Sequence, residues 1–196
     1  YVFAADEAFV LEDLMKLSGG QASRAYGNLQ VLDVSDIEHP RAVAHALEPF
    51  GAVAVAAGLL HDVLEGCMEH LPSLDAKEGH LLDRGVPREV VAVVRVVTRV
   101  PGVTYMQMIE GIASSHLLLD SATATALGLE GAPPLPALVK LADNGHNSLE
   151  SRSAGLSADQ RVFLTRRYGK ARQMLVGALG VLIEKELTTP DAYPLT

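Results

Sequence analysis

His61 and Asp62 end an apolar run, Val53 through Leu60, and Glu65 follows them. An imidazole beside a carboxylate at the edge of a core segment can hold a metal ion or form a simple hydrogen-bonded pair. His39 lies 22 residues before His61, and Asp143 lies 81 residues after Asp62, each inside an apolar helical pattern. Imidazole nitrogen and carboxylate oxygen together suit a borderline first-row metal, and without a cluster of thiolates a structural zinc site is not expected. On spacing alone, His39, His61, Asp62 and Asp143 read equally as one metal centre or as separate capping, surface and core groups.

The elements that must carry these residues read as helices. Phe9, Val10, Leu14 and Leu17 give an opening helix over 4–17, which Gly19-Gly20 interrupts. Residues 28–36 read as a connection, with Asp36 capping the next helix and Pro40 tolerated in its first turn. Pro49 and Gly51 end that helix, and 52–64 follows as a buried helix whose Ala54, Ala57, Gly58 and His61 allow close approach to a neighbour. Ser73 caps a short polar helix through Leu82. Pro87 starts a helix with the apolar stripe Val90, Val91, Val94, Val97 and Val100, which Pro101-Gly102 stops. Thr104 precedes a helix over 105–114 with Met106, Ile109 and Ile112 facing the core. Gly128, Gly131 and Pro133-Pro134 break 115–134, so that segment is atypical, above all at 117–134. A buried helix over 135–149 carries Asp143, a last one spans about 157–185, and Pro190 and Pro194 mark a loose tail at 186–196.

A chain of 196 residues suffices for one domain with a substantial core, and we expect a single domain over 1–196. Its apolar content is 48% but its aromatic content only 5%, which favours aliphatic helix packing and an all-α class. The formal charge of -8 argues against DNA or RNA as the ligand, since a phosphate backbone calls for a basic field, yet it leaves room for a small phosphorylated ligand held through a metal. Cys67 is the only cysteine, so no intrachain disulfide can form. No run of 18 apolar residues occurs, and the first residues lack a signal-peptide arrangement, so the expectation is a soluble, cytoplasmic protein without membrane contact. The apolar stretch in 117–134 offers a pocket cover, a homo-oligomer surface or a packed insertion.

Three segments together carry a family resemblance: His39-Pro40-Arg41-Ala42-Val43-Ala44, Leu59-Leu60-His61-Asp62-Val63-Leu64-Glu65, and Val139-Lys140-Leu141-Ala142-Asp143-Asn144-Gly145-His146-Asn147. In this order they resemble the signature regions of the HD-domain metal-dependent phosphohydrolases, specifically the hydrolase domain of the RelA/SpoT alarmone family and its small stand-alone members. The resemblance runs from about Gly20 to Ala178 and is weak after His116. It implies an all-helical HD-domain fold in which His39, His61, Asp62 and Asp143 hold one divalent metal, manganese above all. The activity it implies is removal of the 3'-pyrophosphate of guanosine tetra- or pentaphosphate (ppGpp or pppGpp).

Glu65, one turn beyond His61, is the expected catalytic group, placed to orient or deprotonate water. In the family the residue after this Glu is Asp, and here it is Gly66. That departure opens one alternative beside alarmone hydrolysis, a catalytically weak nucleotide-binding module, and the resemblance of the HD scaffold to nucleotide 5'-monophosphatases of the HD superfamily opens a second. Substrate contacts are expected from Arg24, Lys140 and Asn147, with Lys140 equally suited to helix packing. Tyr105 is placed to stack on a base or to pack in the core. His45, His70, His80, His116 and His146 read as structural or surface histidines.

Overall fold

The protein is described by a computed structural model covering residues 34–67, 71–129, 131–149, 155–180, 183–184, 187 and 192–193, with backbone alone at 34–37 and 66–67. The expected helix over 4–17, Arg24 and His70 lie outside the described residues. The described elements are α1 (Val34–Ala46), a 3₁₀ turn at Glu48–Phe50, α2 (Ala52–Leu60), a π-helical turn at Val63–Cys67, α3 (Leu74–Asp83), α4 (Arg88–Val97), α5 (Tyr105–Ala113), α6 (Ser121–Ala126), α7 (Leu135–Asn147) and α8 (Ala158–Leu179). Among the described residues no strand occurs, only an isolated antiparallel bridge between Leu118 and Pro134. The fold is all-α, and none of its described helices is long and apolar enough to cross a membrane.

Helix α7 is the axis on which the others pack. Its residues from Leu135 to His146 are buried apart from the partly exposed Lys140, and α1, α2, α4, α5 and α8 all contact it. A helix enclosed on all sides belongs to the core, and any polar side chain it carries must find partners there. Lys140, Asp143, Asn144, His146 and Asn147 are such side chains, and their partners define the site described below.

Close approach of α1 and α2 sets the other wall. Gly58 is the contact point: a Cβ there would lie 2.7 Å from Leu47 Cδ1 and 3.2 Å from Ala44 Cα, so no larger residue fits without displacement. Buried Ala54 and Ala57 continue the same narrow seam. Farther along the chain the expected caps are present. Ser73 Oγ accepts from Ala76 N at 3.2 Å, and α4 begins directly after Pro87 with Val90, Val91, Val94 and Val97 buried. Thr104 and Gln107 form a reciprocal capping box that fixes the start of α5.

Several boundaries differ from the sequence reading. Helix α1 already runs from Val34, so Asp36 lies within it instead of capping it, and Pro40 sits in its interior, where it offers no N–H to the Asp36 carbonyl. Helix α2 stops at Leu60, four residues early, because the backbone turns at His61-Asp62 and then widens to the π-helical turn. Val100 is exposed, and Met108 takes the core position expected for the half-buried Met106. Within 115–134, Leu119 N bonds to Pro133 O at 2.9 Å and Leu135 N to Leu117 O at 2.8 Å, which pins both ends of a loop that carries α6. The last long helix ends at Leu179, before Gly180 at φ 88°. Beyond it, Leu187 and Tyr193 are buried, and the Tyr193 hydroxyl donates to Ala142 O at 2.8 Å, so these two residues of the tail are docked on α7.

Candidate metal centre

His39 on α1, His61 just past α2 and Asp143 on α7 are buried and converge, each offering one ligand atom within 4.8 Å of the others. Asp143 Oδ1 lies 3.2 Å from His39 Nε2 and 3.8 Å from His61 Nε2. Asp62, with its side chain 56% exposed, brings Oδ2 to 3.1 Å from His61 Nε2 and 4.0 Å from His39 Nε2. The four candidate ligands are thus gathered at one place, three of them deep and Asp62 at the solvent side. The π-helical turn begins immediately after this pair, a local change of pitch that often accompanies functional sites.

Proton positions show that the donor set suits a cation. His61 Nδ1 lies 2.7 Å from the Gly58 carbonyl, which can only accept, so Nδ1 carries the hydrogen. In the neutral ring Nε2 is then a lone pair, buried, without a hydrogen-bond partner among the described residues, and faced by two carboxylates. A lone pair aimed at carboxylate oxygens is favourable only with a cation between them, whether a proton or a metal. Burial disfavours a charged His61, but the Asp62 carboxylate beside it and the Asp143 charge outweigh that and raise its pKa. Asp62 is itself pushed up by burial and, more strongly in sum, held down by His61 and Lys140.

Each buried ligand is oriented by a neighbour. His39 Nδ1 lies 2.7 Å from His146 Nδ1, so one N–H is shared by the two rings, and the rings are tilted by 32°. If His39 Nε2 is to bind a metal, His39 must donate through Nδ1 and His146 must accept. Asp143 Oδ2 pairs with Lys140 Nζ at 2.6 Å, and Oδ1 accepts from Asn147 Nδ2 at 2.5 Å. Burial alone would raise the Asp143 pKa, yet the Lys140 ammonium and the two histidines hold the carboxyl well below its usual range. Burial likewise works against the Lys140 charge, and the Asp143 carboxylate overcomes it, so its pKa is raised.

The other sequence-derived site residues take different places. Lys140 and Asn147, expected at the substrate, both engage Asp143 from three residues before and four after it on one helix face. Glu65 on the π-helical turn is exposed, and its Oε1 accepts from Arg99 N at 2.5 Å. It lines a groove of about 620 Å³ with Leu64, Lys77, Thr98 and Arg99. The structure thus brings Glu65 to the connection between α4 and α5. Gly66 follows it in the same turn.

His146 was missed as a site residue. It stands three positions after Asp143 on a helix already read as buried, and that spacing places the two on one face. Of the remaining described histidines, His45 pairs with Glu48 at 2.9 Å near the surface, His80 is half-buried in the last turn of α3, and His116 is exposed. The described residues therefore present an all-helical fold with a buried His39/His61/Asp143 cluster able to chelate one divalent metal ion, as a metal-dependent hydrolase requires. No family model, curated protein or solved structure matches the chain.

Proposed function

We propose that the chain is a manganese-dependent phosphohydrolase that removes the 3'-pyrophosphate from guanosine tetra- or pentaphosphate. The observation that carries this reading is the meeting of His39, His61 and Asp143, one from each of the three segments that resemble the HD-domain alarmone hydrolases. Two imidazoles and a carboxylate suit a first-row divalent ion. Such an ion, when bound, supplies Lewis acidity that activates water and offsets charge developing on phosphoryl oxygens.

The protein's own groups hold this chemistry in place. Lys140 keeps Asp143 ionised, the Gly58 carbonyl turns His61 Nε2 inward, and His146 orients His39. Asp62 stands at the solvent side, where a phosphorylated ligand would arrive. Glu65 is the general base in this reading: the Arg99 amide fixes Oε1, and the second carboxylate oxygen takes the proton.

Gly66 favours a second reading, in which metal and nucleotide bind but turnover is poor, because no acid follows Glu65. One assay separates the readings. Manganese-loaded protein given guanosine 3'-diphosphate 5'-diphosphate should release pyrophosphate. Orthophosphate as the first product from a nucleoside 5'-monophosphate would identify the monophosphatase instead. Nucleotide binding without turnover, converted to turnover by Gly66→Asp, would identify the binding module, and no release under any manganese concentration would exclude the alarmone assignment.

A further inference from the structure

Two buried hydrogen-bond donors, Asn144 Nδ2 and Arg167 Nε, have no acceptor among the described residues. One phenol joins them. The Tyr105 hydroxyl donates to Asn144 Oδ1 at 3.1 Å, and the Arg167 guanidinium lies over the Tyr105 ring with Cζ 4.1 Å from its centroid. Tyr105 opens α5, Asn144 directly follows the ligand Asp143 on α7, and Arg167 projects from α8, three helices that pack on one another. Burial raises the Tyr105 pKa, and the bond to Asn144, the neighbour of Asp143, places the phenol beside the metal cluster.

The two cations on this side differ in their engagement. Lys140 is paired with Asp143 Oδ2 at 2.6 Å, so its charge serves the ligand carboxylate. Arg167 has no carboxylate partner among the described residues, and its guanidinium lies over the aromatic face of Tyr105. A guanidinium seated over an aromatic ring keeps N–H groups that can fork onto two phosphate oxygens. Buried donors without acceptors beside such a cation fit a ligand rich in acceptor oxygens. On a chain of net charge -8, a local cation is also what a polyanion needs to approach.

We propose that Arg167, seated on Tyr105, binds a second phosphoryl group of the substrate, so that the site selects nucleotides phosphorylated at two positions over monophosphates. This rests on the phosphohydrolase reading above and assigns the residue that sets its substrate class. Asn144 and the Tyr105 hydroxyl, hydrogen-bonded to each other, connect Arg167 to the ligand Asp143 that precedes Asn144 in sequence.

The test is calorimetric titration of the full chain, with and without Mn2+, using guanosine 3',5'-bisphosphate and guanosine 5'-monophosphate as probes. Native protein should prefer the bisphosphate by about tenfold or more, the scale of one charge-assisted fork. Arg167→Met should lose that preference while its Mn2+ affinity stays native. Arg167→Lys, which keeps the charge and packing stem but loses the planar fork, should fall between the two and covers the case in which the Met variant fails to fold. Equal binding of the two probes by native protein, or native bisphosphate affinity in either variant, would overturn the assignment. A native chain that binds no Mn2+ overturns the metal reading alone, because the metal-free titrations still report on Arg167.

Discussion

His39 Nδ1 and His146 Nδ1 lie 2.7 Å apart, two buried imidazoles from α1 and α7 sharing one hydrogen. The contact fixes the face that His39 turns toward Asp143, since Nε2 is then held 3.2 Å from Asp143 Oδ1. Groups that orient a metal-binding histidine commonly change metal affinity by about 10–100-fold when removed. His146→Leu is accordingly expected to weaken Mn2+ binding by about that factor in calorimetry with the helical circular dichroism preserved. Native affinity in this variant would mean that His39 needs no orienting partner.

Lys140 and Asp143 form a pair whose loss should be felt most without metal. Removing one member of a buried ion pair leaves an uncompensated charge at a cost of about 3–5 kcal/mol. Metal-free Lys140→Met should therefore be destabilised by about that amount in urea unfolding, and Mn2+ should raise its melting temperature more than it raises that of the native chain. Equal Mn2+-induced shifts in the two proteins would show that the Lys140 charge does not stand in for a cation at Asp143.

The pH dependence has a definite sign. His61 has its folded-state pKa raised from the ordinary 6.5, so its contribution to metal-free stability is fully present below that value and is lost as pH rises through the folded pKa. Asp143 has its pKa lowered from 3.8, so its contribution is present above that value and is lost as pH falls toward the folded pKa. Both act together between those two ordinary values. Because Mn2+ displaces the His61 proton, the melting-temperature gain from Mn2+ should be larger at about pH 8 than at about pH 5.5. Thermal melts across that range check it, and a gain that shrinks with rising pH would contradict the ligand role of His61.

Much of this was legible because the relevant signals are local. The period of Val90, Val91, Val94 and Val97 gives α4, and Ser73 and Thr104 announce the helices they cap. On spacing alone the convergence of His39, His61 and Asp143 stayed open, and it was the resemblance of their three segments to one family that pointed to it. What escaped depends on contacts distant in sequence or on backbone pitch. Val63 and Leu64 continue an apolar pattern across the point where α2 stops, so periodicity conceals the π-helical turn. Glu65 meets the Arg99 amide 34 residues away, and Tyr105 meets Arg167, pairings no local pattern encodes. His146 was the exception, since its spacing from Asp143 was there to be read.

Gly58 tests the scaffold separately from the chemistry. In Gly58→Ala the new methyl would meet Leu47 Cδ1 at 2.7 Å and Ala44 Cα at 3.2 Å, parting α1 from α2 and so His39 from His61. Overpacking of this kind typically costs about 1–3 kcal/mol. Chemical unfolding should show that loss together with weakened Mn2+ binding. Lost stability with native metal affinity would show that the α1–α2 distance does not set the site.

The most direct measurement is pulsed electron paramagnetic resonance of the protein titrated with Mn2+. A centre built on His39, His61 and Asp143 should bind one Mn2+ per chain and show nitrogen couplings from two imidazoles, reduced to one in His61→Ala or His39→Ala if the ion is retained at all. Mn2+ that stays unbound, or binds with no histidine nitrogen coupling, would contradict the metal centre and the hydrolase built on it.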